Sequence, residues 1–119
     1  MRPLTAACLS AAVVGLVAGL AQAETRQHPC AADAIAKAKP LLALQYGLGP
    51  GDKGDTLAID DRVRVLPPIR ALKGKGRLDV LEVMGHIYRA DYRMRFIYAQ
   101  IKGDCALMGQ EITEVSDPY

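Results

Sequence analysis

The sequence predicts an α+β domain in which one N-terminal helix packs on a four-stranded antiparallel sheet. A single apolar stripe with helical spacing runs from Cys30 to Tyr46. Beyond it the chain falls into strand-like segments up to Val115, separated by glycine- and proline-containing turns. Cys30 lies at the start of the helical stripe, and Cys105 lies at the start of the last of these segments. One helix followed by consecutive antiparallel strands is typical of a two-layer domain.

The helix is predicted from small and apolar residues that recur three and four positions apart: Ala31, Ala34, Ile35, Ala38 and Leu42. Pro29 suits the first helical position, where its missing N–H has no partner anyway. Gly47 suits the left-handed position just after the end. Pro40 conflicts with an unbroken helix, so we expect a kink near residues 36–40 or two short helices.

A glycine-rich stretch, residues 47–55, is the predicted main loop between the helix and the sheet. The strand Arg62–Leu66 then meets Pro67 and Pro68, which places either the end of the strand or the whole strand at a sheet edge. After the basic connection Ala71–Arg77, a strand is predicted over Leu78–Arg89 with a possible bulge at Gly85.

The clearest strand runs from Tyr92 to Lys102, after a short turn at Ala90 and Asp91. We expect Tyr88, Tyr92, Phe96 and Tyr98 to serve in core and cross-strand packing. A two-residue turn, Gly103–Asp104, leads into the last strand, Cys105–Val115. Residues 116–119 are predicted to form a flexible tail.

The order of these elements resembles that of cystatin-like domains, and element order by itself says nothing about function. The stretch from Cys30 through Ile112 also resembles a family of short, uncharacterised exported proteobacterial proteins. The segments that carry this resemblance are CAADAIAKAK, VRVLPPI, LDVLEV, YRMRFIYAQI and GDCALMGQEI. No activity is implied by the resemblance.

The N-terminus has the three parts of a secretory signal peptide. Arg2 supplies the positive charge, Leu4–Leu20 is an uncharged apolar and small-residue stretch, and Ala21-Gln22-Ala23 is a typical cleavage site. We therefore expect residues 1–23 to be removed and residues 24–119 to form one small exported domain, periplasmic or extracellular. No transmembrane segment is expected after cleavage.

Export would place the two remaining cysteines in an oxidising compartment. Only one intramolecular pairing is then possible, so we predict a Cys30–Cys105 disulfide that joins the helix start to the last strand. A bonded pair requires Cα atoms about 4.4–6.8 Å apart, and this makes the prediction a geometric one.

Charge is nearly balanced in the mature chain but unevenly distributed along it. Residues 62–102 hold ten bases and three acids, whereas residues 103–119 hold four acids and no base. The distribution indicates either an acidic partner or antiparallel strands that pair opposite charges on one solvated face. If there is a ligand, we expect it at Lys73, Lys75 and Arg77 or at Arg89, Arg93 and Arg95, with binding that weakens in salt.

The sequence offers few groups for catalysis. Glu82 and His86 fall on one face of a strand and are the single acid–base pair worth considering, although such a pair is more often part of a solvated polar face. No catalytic residue, metal site or cofactor is predicted.

The leading hypothesis is a non-catalytic exported domain that binds a protein or an anionic envelope component. The alternatives are a small exported hydrolase that uses Glu82 and His86, and a structural envelope protein without a discrete site. Export and the separation of Tyr92 and Phe96 from Arg93 and Arg95 argue against nucleic acid as the partner.

Overall fold

One helix packs on a four-stranded antiparallel meander in the computed structural model, which describes Pro3, residues 27–49, residues 56–117 and Tyr119. The predicted fold class is therefore confirmed. The signal-peptide prediction and residues 50–55 of the predicted loop lie outside the described residues. The elements are, in chain order, α1 (Ala31–Tyr46), β1 (Leu57–Arg70), β2 (Arg77–Ile87), β3 (Ala90–Ile101) and β4 (Asp104–Glu114).

The helix begins at Ala31, two residues after Pro29, because a hydrogen-bonded turn precedes it. The Ala31 N–H donates to the His28 carbonyl at 2.9 Å, and Cys30 occupies the N-cap position. Pro29 therefore belongs to this turn and not to the first helical position. At the other end the prediction is confirmed, since Gly47 has a φ of 80° and caps the last carbonyls.

Pro40 does not divide the helix into two, so that alternative was wrong. Residues 31–46 form one continuous helix with the proline inside it. Pro40 removes the N–H that would bond the Ala36 carbonyl, but both residues are exposed. Water can therefore satisfy that carbonyl, and the apolar stripe still holds both halves of the helix against the sheet.

The core lies between α1 and one face of the sheet. Small residues on the helix, Ala34 and Ala38, let its axis approach the strands closely, and Leu42 fills the space further along. The sheet contributes alternate residues of its two central strands, which are Leu81, Val83, Ile87, Tyr92, Met94, Phe96 and Tyr98. The alternation predicted for Tyr92 to Tyr98 is confirmed, whereas Tyr88 is exposed and does not pack in the core.

Gly85 marks the closest approach of helix and sheet, and it is not a bulge in its own strand. Its partners in β3 continue in register on both sides. A Cβ atom there would lie 2.8 Å from Met94 Cε and 2.9 Å from Leu42 Cδ2. The irregularity falls instead in β1, between Ile59 and Val63.

Strand β1 is an edge strand, as its prolines indicated, but it does not stop at them. It continues through Pro67 and Pro68 to Arg70, with a second register shift between Leu66 and Ile69. Because an edge strand has one row of backbone groups free of the ladder, proline can remain within it.

The β2–β3 and β3–β4 turns have two residues each, and both are displaced from their predicted positions. The β2–β3 turn is Tyr88–Arg89, since Ile87 pairs with Ala90. Arg89 takes a φ of 62° there, without the glycine that would have signalled it. The β3–β4 turn is Lys102–Gly103, with both residues at positive φ, so glycine occupies the second position and not the first.

The predicted disulfide is confirmed: Cys30 and Cys105 are bonded, with Cα atoms 5.7 Å apart. Close by, the His28 Nδ1 accepts the Cys30 backbone N–H, and its Nε2 lies 3.1 Å from an Asp79 carboxylate oxygen. These contacts fix the start of the helix over the ends of β2 and β4.

Candidate functional site

The two faces of the sheet differ in how far they are covered by the rest of the domain. The face toward α1 is buried, and the opposite face, which we call the uncovered face, has no helix on it among the described residues. Paired residues of neighbouring strands share a face, so the register assigns each side chain. The uncovered face divides into a charged half near the β2–β3 turn and an apolar half near the opposite end.

A row of alternating charge crosses the charged half. Arg64, Glu82, Arg95 and Glu111 are consecutive partners from β1 to β4. The Arg95 Nε donates to Glu82 at 3.0 Å, and its Nη1 lies 3.6 Å from Glu111. The Arg64 Nη1 is 3.8 Å from the other Glu82 oxygen. This arrangement is the pairing of opposite charges on one face that the sequence offered as an alternative to an acidic partner.

Glu82 and His86 share this face of β2, as predicted, but each is bonded to other groups. His86 Nδ1 lies 2.6 Å from Asp91, and its Nε2 lies 2.9 Å from Asp60. Hydrogen bonds to Asp91 and Asp60 raise the pKa of His86 above its ordinary value. A carboxylate at each ring nitrogen favours the protonated imidazole, which donates at both nitrogens and has no lone pair to accept a proton.

A shallow cleft of about 460 Å³ lies beside this histidine and is lined by Thr56, Ala58, Tyr88, Arg89 and Asp91 among others. The Arg89 guanidinium lies over the Tyr88 ring, 5.2 Å from its centroid. Within the described ranges no three His, Cys, Asp or Glu side chains are grouped so as to hold a metal ion.

The six bases proposed from the sequence do not form one patch. Lys73, Lys75 and Arg77 belong to the β1–β2 connection, whereas Arg89 lies in the β2–β3 turn at the other end of the sheet. The eleven residues of β2 separate these ends by about 35 Å. Of the remaining two, Arg95 is neutralised by its carboxylates, and Arg93 lies opposite Met84 and Thr113 with its Nε buried and without a partner.

The β1–β2 connection is the most concentrated basic feature of the described chain. Arg70 stands directly opposite Arg77 in the last rung of the hairpin, and the Ala71 N–H closes the connection on the Gly76 carbonyl at 2.9 Å. Lys73 and Lys75 lie between them, on either side of Gly74, which has a φ of 84°. We call residues 70–77 the basic tip. None of its four bases forms an ion pair within the described ranges.

Leu72 stands in the middle of the basic tip with its side chain fully exposed. Next to the tip, the apolar half of the uncovered face is formed by Leu66, Ile69, Leu78, Val80, Ile97, Ala99 and Ile101. Ile69 and Ile101 remain 42% and 55% exposed. Sequence reasoning missed this combination, because strand alternation shows which residues share a face and not whether anything covers that face.

Two polar contacts on the helix-facing side are structural. The Tyr98 hydroxyl donates to Asp33 at 2.7 Å, and the Lys37 Nζ bonds both oxygens of the same carboxylate. Hydrogen bonds from Lys37 and Tyr98 lower the pKa of Asp33, while burial and the bond to Asp33 raise the pKa of Tyr98. These groups tie α1 to β3, and Lys37 also lines an open cleft of about 250 Å³ with Pro40, Leu41, Leu44, Leu107 and Gln110.

No family model matches the chain, and no curated protein or solved structure matches it either. Among the described residues, none of the helices is both long and apolar enough to cross a membrane.

Proposed function

We propose that this chain is a non-catalytic exported domain that binds an anionic partner of the cell envelope through the basic tip. The observation that carries the proposal is the set of four bases within residues 70–77, with no acid among them. Export itself is inferred from residues 1–23, and the Cys30–Cys105 disulfide is compatible with it.

Among the described residues these bases form no ion pair, in contrast to the charged row of the sheet. Across the charged half of the uncovered face every arginine of the central row has a carboxylate partner. At the basic tip, Arg70 instead faces Arg77, and like charges directly opposite each other in a hairpin are destabilising. An anion bound at the tip would relieve that repulsion, so the arrangement favours anion binding.

Catalysis is less well supported by the same geometry. Glu82 is bonded to arginines, and both nitrogens of His86 face carboxylates, so neither is poised as a free acid or base. Both cysteines of residues 24–119 are bonded to each other and offer no thiolate nucleophile.

The test compares two charge-matched double variants of the exported chain. Lys73→Gln with Lys75→Gln removes two bases from the tip, while Lys39→Gln with Arg62→Gln removes two exposed bases from elsewhere in the domain, neither of them in an ion pair among the described residues. Sedimentation with the envelope fraction of the producing cell is measured at low and at high salt. We expect the tip variant to bind more weakly than the wild type, and the control variant to bind as the wild type does. High salt should weaken the binding of the wild type. Equal retention of both variants would contradict the proposal.

A further inference from the structure

We infer that the anionic partner is the surface of a lipid bilayer, which the basic tip contacts through its charges and into which Leu72 inserts. The inference rests on the proposed function and specifies its partner. Its basis is the coincidence of four bases, none of them in an ion pair with another described residue, with a fully exposed leucine in the same short connection.

A single exposed leucine on a protein surface would need no explanation. Leu72 differs because apolar residues continue beyond it onto the uncovered face, where Ile69 and Ile101 are also exposed. Ile69 pairs with Leu78, and Ile101 is the last residue of β3 before the turn. These residues therefore lie at one end of the sheet, together with the basic tip.

The second hairpin at this end adds a base to the same surface. The β3–β4 turn holds Lys102, which is exposed. The acids nearby are Asp104, which is exposed, and Asp79, whose carboxylate is bonded by His28 and Gln100. Five bases thus surround the exposed apolar side chains against these two acids, and the end of the domain is positive.

Lipid fits this surface better than a partner recognised by charge alone. At a bilayer surface, phosphate charges attract bases while the region just beneath them accepts apolar side chains. A highly charged soluble partner would use the lysines and arginines but would leave Leu72 in water. At a bilayer surface, the basic side chains would lie at the phosphates and the apolar side chains would lie just beneath them.

The sequence contains no tryptophan, so a single introduced tryptophan reports on its own position. We would place it by Leu72→Trp at the tip and, as the matched control, by Leu44→Trp on the helix, where the leucine is 74% exposed. The exported chain is used once its intact mass corresponds to residues 24–119, which include every described element. Vesicles of phosphatidylglycerol mixed with phosphatidylcholine are compared with vesicles of phosphatidylcholine alone.

We expect the tip tryptophan to shift its emission to the blue with the anionic vesicles, and the helix tryptophan to show no shift. Lys73→Gln with Lys75→Gln should weaken vesicle binding roughly thirtyfold, since each base near an anionic surface contributes about a fivefold factor. Leu72→Ser should weaken it about threefold or more without changing the net charge.

The results of these experiments separate the failure of this inference from the failure of the proposed function. Salt-dependent binding to soluble polyglutamate that requires Lys73 and Lys75, with no binding to anionic vesicles, would overturn the lipid inference and leave the proposed function standing. Vesicle binding in which both tryptophans behave alike would also overturn the inference, because insertion would not occur at Leu72. If the tip variant sediments with the envelope as well as the wild type does, the proposed function fails too.

Discussion

Gly85 of β2 lies beneath Leu42 of α1 so closely that a Cβ atom on the glycine would be 2.9 Å from the leucine Cδ2. The same atom would be 2.8 Å from Met94 Cε and 3.1 Å from Ile59 Cδ1. The distance between helix and sheet is therefore set by the absence of one methyl group at this position.

Gly85→Ala should destabilise the domain by about 1–3 kcal/mol, because three core side chains would have to move to admit the methyl group. Urea unfolding followed by circular dichroism gives the free energy of unfolding. Gly109→Ala is the matched control, since its nearest contact is an ordinary 3.5 Å from Ile97 Cδ1. A loss as large for Gly109→Ala as for Gly85→Ala would show that tight packing at Gly85 is not the cause.

Reduction of the Cys30–Cys105 disulfide should lower the free energy of unfolding by about 2–5 kcal/mol, the range for small secreted domains. The measurement is urea unfolding with and without reductant, and a Cys30→Ser, Cys105→Ser double variant should behave like the reduced protein in both conditions. Thiol titration of unfolded, unreduced residues 24–119 should find no free thiol. Two reactive thiols per chain would contradict the bond.

His86 should stabilise the fold at acidic and not at alkaline pH. Its pKa is raised in the folded state, so its contribution is fully present below the ordinary histidine pKa of about 6.5 and is lost as the pH rises through the folded value. The side chain is 40% exposed, and we expect no more than about 1 kcal/mol after screening.

The comparison for His86 is between wild type and His86→Gln at pH 5.5 and at pH 9. The difference in unfolding free energy should be larger at pH 5.5, and NMR titration of the imidazole should give a midpoint above 6.5. A difference that grows toward alkaline pH would contradict the contacts with Asp60 and Asp91.

The mature chain should begin at Glu24. Intact-mass analysis of protein recovered outside the cytoplasm distinguishes residues 24–119 from the full chain. Ala23→Pro should block processing, because the peptidase recognises small residues before the cleaved bond. A mass that still includes residues 1–23 in the wild type would contradict the signal peptide.

Regular patterns in the sequence predicted much of the fold. The alternation from Tyr92 to Tyr98 revealed a buried strand face, and Gly47 revealed the end of the helix. Both signals are local, because each follows from the repeat of its own element or from one backbone angle. The Cys30–Cys105 bond was predictable because residues 24–119 contain a single possible pair.

Features decided by distant parts of the chain were not predictable in this way. Tyr88–Arg89 forms a turn without glycine because the register of β2 with β3, which pairs Asp79 with Tyr98 at the far end, imposes it. His86 was expected beside Glu82, yet its partners come from β1 and β3 and depend on strand register. The exposure of Leu72 depends equally on what the rest of the fold leaves uncovered.

The bond between Cys30 and Cys105 also turns most of the described chain into a covalent ring, with a sequence separation of 75 residues. One cut by a protease at any peptide bond between them opens the ring without dividing the molecule. The severed pieces stay joined through sulfur, so the start of α1 cannot diffuse away from β4. Where proteases are present, the domain can therefore be cut once and still have α1 joined to β4 by the disulfide.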